Sequence, residues 1–99
     1  MKLTGVSATI SAAHYSREGN LHGHTWQVVV WFNHAIDLDA EHLNQQVRAY
    51  VNANYDHGLL PDELAWGEDL SEKIGLDLGA VQVDMSRPLE GIFAKWVRD

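Results

Sequence analysis

The hydrophobic pattern of this 99-residue chain changes period twice. Apolar or small residues alternate with polar ones over residues 3–14 and, more strongly, over residues 21–33, and such alternation is typical of β-strands. In the second segment both faces are bulky, because Trp26 points to one face while Val29 and Trp31 point to the other. We therefore expect the second strand to be covered on both sides.

The middle of the chain has a helical period instead. Asp39 is a favourable N-cap for a helix over residues 40–53, in which apolar side chains recur on one stripe. This stripe consists of Leu43, Val47, Tyr50 and Val51. A loop over residues 54–60 leads to a shorter helix over residues 67–75, which we predict to end near Gly75.

Two further strands complete the chain, at residues 80–86 and 91–97. The order β-β-α-α-β-β predicts an α+β fold, with a four-stranded antiparallel sheet and both helices on one of its faces. Because no internal repeat or linker interrupts the pattern, residues 1–99 are expected to form a single domain.

Composition and charge exclude several classes of function. The chain has 14 acidic and 7 basic residues and a net charge of −7, and its basic residues are scattered singly, so we expect no nucleic-acid partner. The longest apolar run, residues 28–32, is too short to span a membrane, and no signal-peptide pattern is present, which predicts a cytoplasmic protein. The absence of cysteine excludes thiolate zinc sites and cysteine nucleophiles.

Three histidines are spaced so that they can share one face of a hairpin. His22 and His24 lie two residues apart on the strongest predicted strand, and His14 ends the strand before it, across a short turn. Three converging imidazoles suit a zinc ion whose fourth position stays open for catalysis. On spacing alone, the alternative of half-buried polar side chains without a metal stays open.

A second candidate feature is the Asp56–His57 pair in the loop after the first predicted helix. An adjacent carboxylate can orient an imidazole and raise its pKa, which makes the pair a suitable proton shuttle. An ordinary turn is the alternative interpretation.

Taken in order, these motifs resemble the 6-pyruvoyl- and 6-carboxytetrahydropterin synthase family. The resemblance rests on A-A-H at 12–14, L-H-G-H at 21–24, I-D-L at 36–38, D-H at 56–57 and A-V-Q-V at 80–83. It extends over nearly the whole chain, and the L-H-G-H element after an upstream A-A-H is its most specific part.

The resemblance implies a fold, a metal and a substrate. The fold would be the tunnelling fold, whose subunits form trimeric barrels that stack into hexamers, so the chain would be a homo-oligomer. Zinc would be bound by His14, His22 and His24 and would hold the side-chain hydroxyls of 7,8-dihydroneopterin triphosphate or a related dihydropterin. Asp56 and His57 would move protons during elimination or carbon–carbon cleavage.

Two positions depart from the family pattern at residues that touch substrate. Glu18 stands where the family usually has its catalytic cysteine, and it can act instead as a general base. Family branches with Glu there are associated with cleavage to 6-hydroxymethyldihydropterin. Met85 stands where a Glu would anchor the pterin edge; Asp84 should point to the opposite face, which leaves Glu90 as the candidate substitute.

A third departure is the sequence at 65–69, which replaces the P-T-x-E-N turn of the family. Glu68 alone is kept there and is a candidate substrate-binding residue. Trp66 can stack on a flat heterocycle or belong to an interface. Arg17 is the only cation close to the histidine motif in sequence.

Three functions are compatible with these residues. The favoured one is a zinc-dependent, dihydropterin-processing lyase in which Glu18 replaces the cysteine. The second is a metal-binding family member with a different small-molecule substrate. The third is a non-catalytic oligomeric binding protein, in which Glu18 closes the fourth position of a structural zinc site.

Overall fold

The computed structural model describes residues 1–15, 19–33 and 39–99. The predicted β-β-α-α-β-β order is confirmed. The elements are β1 (Leu3–Tyr15), β2 (Leu21–Asn33), α1 (Ala40–Asn54), α2 (Gly67–Leu78), β3 (Gln82–Arg87) and β4 (Ile92–Val97), with short 3-10 helices at Asp62–Leu64 and Pro88–Glu90. Glu18, Arg17 and the segment 36–38 lie outside the described residues. No helix in the described ranges is long and apolar enough to cross a membrane.

The four strands form one antiparallel sheet in the order β1-β2-β3-β4, as predicted. Alternate residues of each strand face the helices, and α1 packs on β1 while α2 packs on β3 and β4. The register places Val6 opposite Val30, and Val30 opposite Val83. All three are buried, so the core lies between this face of the sheet and the two helices.

The prediction that β2 is covered on both sides is half right. Its even-numbered residues from Trp26 onward are buried under the helices, whereas Val29 and Trp31 on the other face are half-buried. Trp31 Nε1 donates a hydrogen bond to Asp84 Oδ2 at 2.8 Å, and its ring lies over Gly5, where a Cβ would come within 2.7 Å of ring carbons. Only side chains of the sheet itself cover this second face in the described part of the chain.

The predicted cap and apolar stripe of α1 are both confirmed. Asp39 Oδ1 accepts hydrogen bonds from the backbone N–H groups of Glu41 at 2.9 Å and His42 at 3.4 Å. The stripe residues Leu43, Val47 and Val51 are buried, and Tyr50 is half-buried beside them.

The predicted end of the second helix is wrong. α2 continues past Gly75 to Leu78, and Gly79, at φ 69°, ends it in the left-handed conformation that favours glycine. Gly75 serves a different purpose, because the Trp96 indole lies against it and a Cβ there would be 2.2 Å from Trp96 Cζ3. The other predicted boundaries agree with the observed ones to within two residues, and those of β2 are identical.

Candidate functional site

The three histidines of the sequence motif lie together at one end of the sheet. The β1–β2 register places His14 opposite His22, and His24 opposite Ala12. All three therefore share the face that carries the apolar core. The centroids of the rings are 5.9 Å apart for His14 and His22, 5.1 Å for His14 and His24, and 6.1 Å for His22 and His24.

The types and spacing of these side chains fit zinc, although their donor atoms are not arranged around a common point. Imidazoles bound tetrahedrally at zinc–nitrogen distances of about 2.0–2.1 Å have ring centroids roughly 5 Å apart. His14 Nδ1 is buried and has no hydrogen-bond partner, which is expected of a nitrogen that lacks its natural ligand. Within residues 1–15, 19–33 and 39–99, however, no three His, Asp or Glu side chains form a metal-binding group.

Arg87 engages one of the two ring nitrogens of His24. Its Nη1 hydrogen bonds to His24 Nδ1, and its guanidinium stacks on the Trp26 ring with Cζ 4.7 Å from the centroid. Burial, then the charge of Arg87 and that of His14, lower the pKa of His24, and Glu90 opposes this shift. His24 is therefore held as a neutral imidazole that accepts a hydrogen bond at Nδ1.

The sequence interpretation missed Arg87, although the alternation of β3 contained a signal for it. Arg87 continues the phase of Val83 and Met85, which both point into the core. A charged residue in the core-facing phase of a strand requires a polar partner inside the protein. Its side chain is only 13% exposed, and its Nε is buried without a hydrogen-bond partner.

Asp56 joins the loop after α1 to the edge of β1. Its Oδ1 accepts a hydrogen bond from the Ser11 N–H at 2.8 Å, and its Oδ2 lies 3.0 Å from His57 Nδ1. The backbone continues the attachment, since Ala13 N–H donates to Gly58 O at 2.9 Å. The loop thereby adds a short parallel bridge beside the strand that carries His14.

His57 is presented to solvent by an unusual backbone conformation. Its φ of 61° lies in the left-handed region, which non-glycine residues rarely adopt and which costs on the order of 1 kcal/mol or more. Its side chain is 84% exposed. His57 and His24 border the same shallow depression of about 350 Å³. Its other walls include Ser11, Gly23 and Thr25, which alternate with the histidines, so the depression opens on the sheet face opposite the histidine cluster.

A more enclosed cavity of about 320 Å³ lies on the opposite side of His24, between the sheet and the start of α2. Its walls include His14, Trp26, Trp66 and Glu68, together with Arg87. Both predicted substrate-binding residues of the 65–69 turn therefore line a cavity that His14 and His24 also border. The volume suits a small heterocyclic ligand.

Glu90 and Met85 differ in how far they can serve as ligand anchors. Glu90 Oε1 lies 3.6 Å from Arg87 Nη1, and its side chain is 57% exposed at the rim of a third cavity that also includes His24. Met85 is fully buried, opposite Val28 on β2, and offers no polar group. Asp84 points to the other face, as predicted.

Two comparisons with known proteins found matches to this chain. The family profile described as 6-pyruvoyl tetrahydropterin synthase matches residues 5–88. A solved structure of Caenorhabditis elegans 6-pyruvoyl tetrahydropterin synthase is similar, with a TM-score of 0.67 and 12% identity over 99% of this chain and 96% of that chain. At this identity the likeness shows the fold alone. None of the curated proteins matches significantly. The profile match includes the histidine cluster, the Asp56–His57 pair and Arg87, and it ends before Glu90.

Proposed function

The chain belongs to the 6-pyruvoyl tetrahydropterin synthase family, and on that premise we propose that it is a zinc-dependent lyase acting on 7,8-dihydroneopterin triphosphate or a related dihydropterin. The observation that carries this proposal is the gathering of His14, His22 and His24 at one end of the sheet. Asp56 and His57 lie on the loop that hydrogen bonds to the same end of β1. A non-catalytic scaffold has no use for an exposed imidazole oriented by a carboxylate.

The three histidines would hold the zinc ion. When bound, zinc would act as a Lewis acid that lowers the pKa of substrate hydroxyl groups. Asp56 Oδ2 lies 3.0 Å from His57 Nδ1, where it would accept a hydrogen bond, favour the Nδ1–H tautomer and leave Nε2 as a proton acceptor that faces solvent. His57 Nε2 would take a proton from the substrate side chain and return it later in elimination or carbon–carbon cleavage.

The remaining proposed roles concern the base and the heterocycle. We assign Glu18 as the general base that replaces the family cysteine. Trp66 would stack on the heterocycle, since it borders the 320 Å³ cavity, and the Glu68 carboxylate would accept hydrogen bonds from ligand N–H groups there. Glu90 would serve as an anchor through the carboxylate oxygen that does not face Arg87 Nη1.

We further propose that the chain assembles as a homo-oligomer, a trimer or a hexamer, and acts in the cytoplasm without a nucleic-acid or membrane partner. Support for assembly comes from the uncovered sheet face, where Phe93 and Val97 are exposed on β4. Burial of this face in a barrel would also cover the second side of β2.

A second candidate function is a family member that keeps the metal and binds a different small molecule. Two observations favour it. Met85 places a buried thioether where the family has its anchoring carboxylate, and Arg87 brings a cation to the wall of the cavity. A ligand bound there would meet hydrogen-bond donors from β3 in place of an acceptor.

The test is incubation of zinc-loaded protein with 7,8-dihydroneopterin triphosphate, with products resolved by mass spectrometry. A pyruvoyl, carboxy or hydroxymethyl pterin product would support the lyase and identify its branch, and the hydroxymethyl product would assign cleavage to Glu18. We expect His57→Gln to abolish turnover while zinc content stays stoichiometric. His42→Gln is the matched control, because His42 lies exposed on α1, away from the cluster. Zinc-bound protein without turnover would contradict the lyase and favour the second candidate.

A further inference from the structure

Arg87 is a cation hydrogen bonded to His24, one of the three histidines that are proposed to bind a metal cation. Its guanidinium is stacked on Trp26, hydrogen bonded to His24 Nδ1 and nearly buried. A guanidinium can only donate hydrogen bonds. A histidine that binds a metal through one nitrogen usually donates its other N–H to a carboxylate or carbonyl. Arg87 therefore occupies the place where a metal-binding histidine needs an acceptor.

The hydrogen bond from Arg87 leaves His24 with no nitrogen free for a metal. Nδ1 uses its lone pair to accept the guanidinium N–H, so in the neutral ring the proton must lie on Nε2. Binding of zinc at Nδ1 would require Arg87 to leave. Binding at Nε2 would move the proton to Nδ1, where it would face the guanidinium donor. The Arg87–His24 hydrogen bond and zinc binding by His24 are therefore mutually exclusive.

An alternative acceptor for Arg87 is already in place. Glu90, three residues further along the chain, has its Oε1 3.6 Å from Arg87 Nη1. A charge-assisted hydrogen bond of about 2.8 Å would require a movement of roughly 1 Å. Because the guanidinium can stay stacked on Trp26 during such a small displacement, the exchange of partner requires no change of fold.

We propose that Arg87 competes with zinc for His24: its guanidinium closes the cluster in the metal-free protein and transfers to Glu90 when the three histidines bind the metal. This inference rests on the metal site of the proposed function and is independent of the substrate. It makes Arg87 a positioning residue that sets the affinity of the cluster for zinc.

The experiment measures zinc affinity by competition with a chromophoric chelator, in the absence of substrate. Arg87→Met keeps an apolar chain over Trp26 and removes the donor, and we expect it to bind zinc about tenfold more tightly than the wild type. Arg98→Met is the matched control, because Arg98 stacks on Trp96 with Cζ 5.3 Å from the centroid and donates to Ala80 O. Its zinc affinity should equal that of the wild type.

A second variant tests the transfer itself. Glu90→Gln removes the charge that receives the guanidinium, so it should weaken zinc binding severalfold while leaving the Arg87–His24 hydrogen bond intact. Side-chain nitrogen NMR of the metal-free protein should show His24 as the Nε2–H tautomer in the wild type and in Glu90→Gln, and should lose that preference in Arg87→Met. This NMR readout and Glu90→Gln keep the test decisive if Arg87→Met folds poorly.

Equal or weaker zinc binding by folded Arg87→Met would overturn the competition, as would an Nδ1–H tautomer of His24 in the metal-free wild type. Failure of turnover on the pterin, with the expected affinities observed, would overturn the lyase and leave the competition intact. Absence of zinc binding in both the wild type and Arg87→Met would overturn the inference and the metal site together.

Discussion

Replacement of Met85 by Glu tests whether this position belongs to a ligand site or to a dry core. Met85 is fully buried on the inner face of β3, opposite Val28 on one side and Ala94 on the other. The variant restores the residue type that the family resemblance expects here. If the core interpretation is right, the new carboxyl will be kept from water and will stay protonated in the folded protein.

The expected cost follows from the linkage between protonation and folding. An unfolded chain ionises Glu above a pKa of about 4.3, and keeping the carboxyl protonated at pH 7 costs about 1.4 kcal/mol for each pH unit above that value, or roughly 4 kcal/mol. The folded form binds the additional proton, so the loss of stability grows as the pH rises. Globular domains are stable by only about 5–15 kcal/mol, which leaves Met85→Glu close to unfolding at neutral pH.

Urea unfolding at pH 4.5 and pH 7, followed by far-UV circular dichroism, measures this difference. Met85→Gln is the matched reference, because it has the size of Glu and no titration, and the comparison at each pH cancels the titration of the rest of the protein. Met85→Leu should cost less than about 1.5 kcal/mol, since it conserves volume. The penalty of Glu relative to Gln should be about 0.6 kcal/mol at pH 4.5 and about 4 kcal/mol at pH 7.

A pH-independent penalty would refute this reasoning. It would mean that the carboxylate at position 85 reaches water or a hydrogen-bond donor. Position 85 would then line the ligand cavity, and Met85→Glu should gain binding of 7,8-dihydroneopterin triphosphate.

Three further predictions concern packing, the loop and acid stability. Gly75→Ala should destabilise the protein by about 1–2 kcal/mol in urea unfolding despite its better helix propensity, because its Cβ would meet the Trp96 ring; in a Trp96→Leu background the same change should be neutral or stabilising. Asp56→Asn should lower kcat at unchanged zinc content, because the carboxylate that orients His57 is lost; steady-state kinetics and metal analysis measure the two quantities. A hydrogen bond from Tyr50 is the main cause of the lowered pKa of Asp77. The ionised Asp77 therefore stabilises the fold above its unfolded pKa of about 3.8, and this contribution is lost as the pH falls further. In urea unfolding below pH 4, Asp77→Asn should therefore show a weaker dependence of stability on pH than the wild type.

The sheet and the histidine cluster could be predicted because strand alternation fixes which face a side chain occupies. Once residues 3–14 and 21–33 are adjacent antiparallel strands, His22 and His24 must share one face, and a short hairpin brings His14 to it. The placement of Asp84 on the opposite face followed from the same alternation. No tertiary information was needed for these inferences.

The remaining features depend on contacts between residues far apart in the chain. Gly75 was interpreted as a helix end, because glycine both terminates helices and permits close packing, and only Trp96 distinguishes the two purposes. Arg87 is 63 residues from His24, so its hydrogen bond is visible only in the folded chain. The role of Glu18 stays a prediction, since it lies outside the described residues.

Two inner-face positions of β3 separate metal binding from substrate choice. Position 85 is buried and apolar and offers a ligand no polar partner, whereas Arg87, under the proposed competition, would set how readily His24 accepts zinc. At saturating zinc the competition by Arg87 no longer limits occupancy of the metal site, so turnover on a dihydropterin then reports ligand recognition and proton transfer alone. If His57→Gln and Met85→Glu were both folded and zinc-loaded, the first would test the proton shuttle and the second the anchor. Loss of turnover in His57→Gln and a change of preferred substrate in Met85→Glu would thus be separate results, because the two variants affect different steps.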